Sequence, residues 1–74
     1  MDMKPTDVVA EVAGKVWKVE AQAGAQLVAE QAILILESMK MEIPVIAPFA
    51  GKLLELHVKE GDAVREGDVV AVIA

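Results

Sequence analysis

The residues best placed to do chemistry are Glu37-Ser38-Met39-Lys40-Met41-Glu42, a single primary amine between two thioethers and two carboxylates. A lysine amine in water is mostly protonated near neutrality and is a weak nucleophile by itself. No neighbouring residue type here would activate it. The chemistry open to Lys40 is that of an acceptor: an amine to which a separate enzyme can join an acyl group. Met39 and Met41 suit such an encounter, because flexible thioethers give adaptable apolar contact to more than one partner. Strand-like alternation puts both methionines on one face with Lys40 opposite. Read from spacing alone, the same pattern also describes two core methionines with a solvated lysine between them.

Other candidates are weaker. His57 is the only histidine, and with no cysteine and no second histidine it cannot complete a metal site; it is read as a strand residue. Glu37/Glu42 and Glu60/Asp62 have the residue types of general acid/base pairs, but carboxylates beside strands and in Gly-Asp turns are ordinary solvated surface. Trp17 is read as a core or rim anchor of its strand.

Positioning these residues falls to a chain that repeats itself. Ala13-Gly14-Lys15-Val16 aligns with Ala50-Gly51-Lys52-Leu53 at an offset of 37 residues. The same offset carries Gly24 onto Gly61, Leu27 onto Val64, Ile33 onto Val70, Ile35 onto Val72 and Leu36 onto Ile73. Two copies cannot form a solenoid, so the halves are expected to pack about a pseudo-two-fold axis. Gly14, Gly24, Gly51 and Gly61 are read as turn residues. Lys15–Glu20 and Lys52–Val58 are short apolar-rich runs after glycine, and Gly61-Asp62 and Gly67-Asp68 are turn dipeptides before valine-rich runs, which predicts an all-β domain. A helix over Leu27–Glu42 is the rival, since Leu, Ala, Glu, Gln, Met and Lys favour helices. Pro44 and the valine-rich, Gly67-broken copy count against it. Strands are therefore predicted over 32–37 and 41–47, with the reversal at Ser38-Met39-Lys40. A tight turn there normally takes Asn, Gly or Asp, so Met and Lys break a local rule at the candidate site. The offset maps Lys40 to a position just past Ala74, so the lysine is expected at the end of the domain away from the chain termini.

Composition excludes several functions. The 74 residues make one small domain with little room for a catalytic cleft. Trp17 and Phe49 are the only aromatics, so the core must come from Val, Ile, Leu and Ala. The absence of cysteine removes disulfides and thiol nucleophiles. A net charge of −5 without a basic run disfavours nucleic acid and anionic membrane as partners. No signal h-region or membrane span is evident, and the chain is read as cytoplasmic. Residues 1–6 are read as a flexible N-terminus and 7–74 as the domain, either free-standing or cut from a longer polypeptide.

Ser38-Met39-Lys40-Met41, with Glu37 and Glu42 beside it and Ala47-Pro48 and Ala50-Gly51 after it, resembles the attachment motif of biotinyl domains, the carriers of biotin-dependent carboxylases, whose usual form is Ala-Met-Lys-Met. The resemblance runs from about Val12 to Ile73. It implies a flattened barrel-sandwich of two four-stranded sheets, with Lys40 joined to biotin through an amide by a biotin protein ligase. Met39 and Met41 would be flanking recognition residues, together with Glu37 and Ser38. The carrier would take a carboxyl group at a biotin carboxylase and deliver it at a carboxyltransferase, doing no catalysis itself. The short Glu20–Ala23 connection resembles the thumbless type. Ser38 replaces the usual Ala, Glu30-Gln31 stands where many members have Gly-Gln, and Phe49 where many have Met. Lipoyl carriers of oxo-acid dehydrogenases or glycine-cleavage systems are similar but usually show Asp-Lys-Ala at the tip, so lipoate is the alternative cofactor. An unmodified adaptor barrel is the remaining reading.

Overall fold

Eight short strands form from the Val-, Ile- and Leu-containing runs, with glycine in the turns at Gly24, Gly61 and Gly67. In the computed structural model, which describes residues 4–74, they are β1 (Thr6–Val9), β2 (Gly14–Val19), β3 (Gln26–Leu27), β4 (Ala32–Ser38), β5 (Met41–Ile46), β6 (Gly51–Leu56), β7 (Ala63–Val64) and β8 (Val69–Ile73). There is no helix among the described residues, so the helical rival over Leu27–Glu42 is replaced by β3, β4 and most of the first hairpin. The strands make two antiparallel four-stranded sheets, ordered β1-β8-β6-β3 and β5-β4-β2-β7. The body measures 41 × 19 × 17 Å. Its thin directions match two sheets about 10 Å apart with their outer side chains.

The offset of 37 is the symmetry of the fold. It carries β1 to β5, β2 to β6, β3 to β7 and β4 to β8, and so converts one sheet order into the other. Even the irregularities repeat. Pairing skips a residue at Trp17 in β2 and at Leu54 in β6, and register shifts again at Val8/Val9 and at the equivalent β4–β5 pairing. The core is built of equivalent pairs, all buried: Val8 and Val45, Ala10 and Ala47, Val16 and Leu53, Leu27 and Val64, Ile33 and Val70, Leu34 and Ala71, Leu36 and Ile73. Side chains match in position but not in volume. The larger member lies in the first half at Leu34 and in the second at Leu53, as close packing requires when neither half must be identical to the other.

Several local expectations shift. Ser38 belongs to β4, leaving only Met39 and Lys40 in the reversal, and Ala47 lies just past β5. His57 lies beyond the end of β6, where its backbone N–H still donates to Val70 O at 2.8 Å and its Nε2 meets Glu55 Oε1 at 2.7 Å. Gly24 and Gly61 are turn residues, but Gly14 and Gly51 open strands. Their role is close approach: a Cβ at Gly14 would lie 2.6 Å from the carbonyl oxygen of Glu37, and one at Gly51 would lie 2.6 Å from that of Ala74. Trp17 is on the rim, 49% exposed, because it alternates with the buried Val16 and so faces away from the core; the bulge at its position keeps Lys18 outside as well. The segment read as a flexible N-terminus falls partly outside the described residues, at 1–3; Lys4 and Pro5 are exposed and Thr6 already opens β1.

Candidate functional site: the lysine hairpin

β4 and β5 run in register from Leu34↔Val45 to Ser38↔Met41, which leaves a two-residue turn made of Met39 and Lys40. Both have positive φ, 52° and 65°, the signature of a type I′ turn. Its twist matches that of the flanking strands, so the hairpin closes without slack. Residues with a Cβ adopt this conformation at a cost of about 1–2 kcal/mol each. The cost is met by the six-pair ladder below the turn and by the buried Leu34, Leu36 and Val45 that clamp it to the core.

At the tip everything is offered to solvent. Met39 is 91% exposed and Met41 63%, and Lys40 is exposed. The reading of the methionines as core is therefore wrong, and so is the strand-like alternation across Lys40, because Met39 and Lys40 are turn residues. Among the described residues Lys40 has no ion-pair partner. Glu37 and Glu42 face each other directly across the hairpin, both exposed. Like charges in that position repel, and the pair gives the base of the tip a negative rim. Ser38 is half-buried against the start of β2, its Cβ 3.3 Å from where a Cβ on Gly14 would stand. A small residue at 38 and a bare glycine at 14 thus fix how closely β2 supports the hairpin. Gly14 escaped notice as a positioning residue because its repeat partner suggested a turn; the signal was its place immediately before an apolar strand run.

The other acidic pair has a structural task. Glu60 Oε2 accepts from the Val19 N–H at 3.3 Å and Asp62 Oδ2 from the Lys59 N–H at 3.0 Å. No cluster of three or more metal-ligating side chains occurs among the described residues, and His57 stands with Glu55 alone. What the arrangement can do chemically is present one unencumbered amine, at a fixed place on a rigid support, to a cleft belonging to another protein. An amide-linked prosthetic group fits such a site, since it needs an accessible Nζ and no pocket.

Comparison with known proteins agrees with this geometry. Residues 2–73 match the family described as Biotin-requiring enzyme. The chain is 52% identical over 60 residues to the biotin/lipoyl attachment protein of Bacillus subtilis, covering 81% of this chain and 82% of that protein. It is 43% identical over 68 residues to the biotinylated protein TB7.3 homolog of Mycobacterium leprae, covering 92% and 96%. Among solved structures it superimposes on part of the urea carboxylase of Kluyveromyces lactis with a TM-score of 0.91 and 35% identity, covering all of this chain and 6% of that enzyme. A fold duplicated about a two-fold axis, an amine at a strained hairpin tip and these likenesses together place the chain in the biotin-requiring family, as a biotin carboxyl carrier domain.

Proposed function

We propose that Lys40 is the residue that carries biotin, joined by a biotin protein ligase through an amide between the biotin carboxyl and Nζ, and that the domain moves carboxyl groups between a biotin carboxylase and a carboxyltransferase. The single observation that supports this most is the Met39-Lys40 type I′ tip, where an exposed amine is held at a conformational cost that Asn-Gly would avoid. Bound there, biotin supplies a ureido nitrogen that takes up and releases a carboxyl group. The chain's own residues supply position. The β4–β5 ladder fixes the Cα of Lys40, the side chain gives reach, and the methionines give an apolar collar that adapts to differently shaped clefts. The Glu37/Glu42 rim favours clefts with basic mouths and repels acidic ones. Tethering then makes each encounter with the second site effectively intramolecular and raises the local concentration of the group at both.

Co-expression with a biotin protein ligase, followed by intact-mass measurement and avidin blotting, tests the reading. The expected outcome is the mass gain of one biotinyl group on the wild-type chain and none on Lys40→Arg, with the two thermal melts superimposable. A wild-type chain left unmodified by an active ligase, or a Lys40→Arg chain still biotinylated, overturns the assignment of Lys40. Acceptance of lipoate from a lipoate ligase in preference to biotin would reverse the choice of cofactor.

A further inference from the structure

The outer face of the hairpin's sheet carries a feature that the carrier role leaves unused. Lys15, Val16, Trp17, Glu37 and Gly61 surround a shallow depression of about 240 Å3 beside the base of the tip. Trp17 is the only tryptophan, and its place next to the buried Val16 leaves it half out in solvent on the outer face. Lys15 lies directly across from Glu37 in the β2–β4 ladder. Among the described residues neither is in an ion pair, whereas the neighbouring Lys18 is within 3.6 Å of Glu20. The depression is therefore lined by an indole, a cation and a carboxylate, the last two outside any ion pair among the described residues.

We propose that this depression is a resting site for the chain's own modified Lys40 arm, with the bicyclic ring of biotin laid on the Trp17 indole. The inference rests on the reading of Lys40 as the biotinylated residue. Three observations carry it. Complementarity is the first: a ureido group offers two N–H donors and one carbonyl acceptor, matching the Glu37 carboxylate and the Lys15 ammonium, while the ring's apolar underside matches indole. Reach is the second. Glu37 is three residues from Lys40 across the turn, no more than about 10 Å of chain, and the eleven bonds between the Lys40 Cα and the ring span about 14 Å when extended. Asymmetry is the third. The two-fold places Lys52, Leu54, Ala74 and Gly24 where this site has Lys15, Trp17, Glu37 and Gly61, so the indole and the carboxylate occur together only beside the lysine tip.

Trp17 reports on its own site. Intact mass first establishes that the chain co-expressed with an active biotin protein ligase carries biotin; if it does not, the Lys40 reading fails and the resting site is withdrawn with it. For fully biotinylated protein, acrylamide quenching of Trp17 fluorescence is compared with that of the unmodified chain. If docked and free arms are equally populated, the quenching constant falls to about half. In a second measurement, avidin capture of biotinylated Trp17→Leu is timed against wild type. Leucine already occupies the equivalent position 54, and a thermal melt verifies the fold. Capture is expected to be about two-fold faster without the indole, by the same population argument. Equal quenching constants with and without biotin, or equal capture rates for wild type and a folded Trp17→Leu, overturn the proposal while leaving the carrier assignment intact.

Discussion

The turns of the first half and those of the second follow one path with different chemistry. In the second half, Lys59-Glu60-Gly61-Asp62 and Arg65-Glu66-Gly67-Asp68 are near copies. Asp62 and Asp68 each accept a bond from the backbone N–H three residues earlier, at 3.0 and 2.8 Å, and glycine takes the positive φ. The equivalent first-half turns, Gln22-Ala23-Gly24-Ala25 and Val28-Ala29-Glu30-Gln31, keep the backbone bonds, Ala25 N to Gln22 O and Gln31 N to Val28 O, both 3.1 Å. They have no aspartate, and only Gln31 Oε1 replaces its bond, to the Val28 N–H at 3.0 Å. Of the non-glycine residues with positive φ among the described residues, Glu30 falls in the first half, and Met39 and Lys40 make the turn that joins the two halves. The difference teaches that backbone pairing and the paired core specify the fold, while the strain gathers in a first-half turn and at the junction that presents the amine, and the second half's turns are built by the rules.

Core volume gives the strongest way to break this comparison. Leu34 and Ala71 are equivalent and fully buried. Leu34→Ala is expected to cost about 2–5 kcal/mol in urea unfolding, a large share of what so small a domain possesses. Ala71→Gly should cost about 1 kcal/mol. Equal losses would mean that the halves do not divide the core unevenly. Next come the close approaches. Gly14→Ala drives a methyl into the Glu37 carbonyl inside the β2–β4–β5 ladder and should lose about 1–3 kcal/mol. Gly51→Ala meets the Ala74 carbonyl, which lies past β8 and pairs with Lys52, so it should lose less; unfolding midpoints and amide shifts along β4 decide. The smallest effect sharpens the strain argument. Glu30→Gly should gain about 1 kcal/mol and Gly67→Ala lose a similar amount, measured by the same unfolding curves. A Glu30→Gly change that destabilises would show that the first half is not strained there.

Much of this was legible in the sequence because a two-fold fold writes its pattern twice. The spacing of Gly14, Gly24, Gly51 and Gly61 gave the repeat and its two-fold, and Met39-Lys40 stood out by violating turn chemistry that Gly61-Asp62 and Gly67-Asp68 obey. What stayed hidden depends on pairing across strands. The bulges at Trp17 and Leu54 follow from the register of β2 on β4 and of β6 on β8, and nothing in either strand's own composition announces a skipped residue. Trp17 therefore read equally well as core or rim. Gly14 and Gly51 read as turn residues and not as contact points, because what a Cβ would strike lies 23 residues further along, at Glu37 and Ala74. His57 read as strand because its alternation with Leu56 and Val58 continues beyond the last ladder pair.

The two-residue closure of the β4–β5 hairpin leaves the peptide at Lys40 no play of its own. A group carried on that amine, as proposed, would swing like a pendulum from a fixed pivot: its sweep would be set by the torsions of the arm and not by loop breathing. A turn lengthened by even one glycine would blur the pivot, trading a defined arc for a cloud, and would make delivery depend on where the hairpin happened to be.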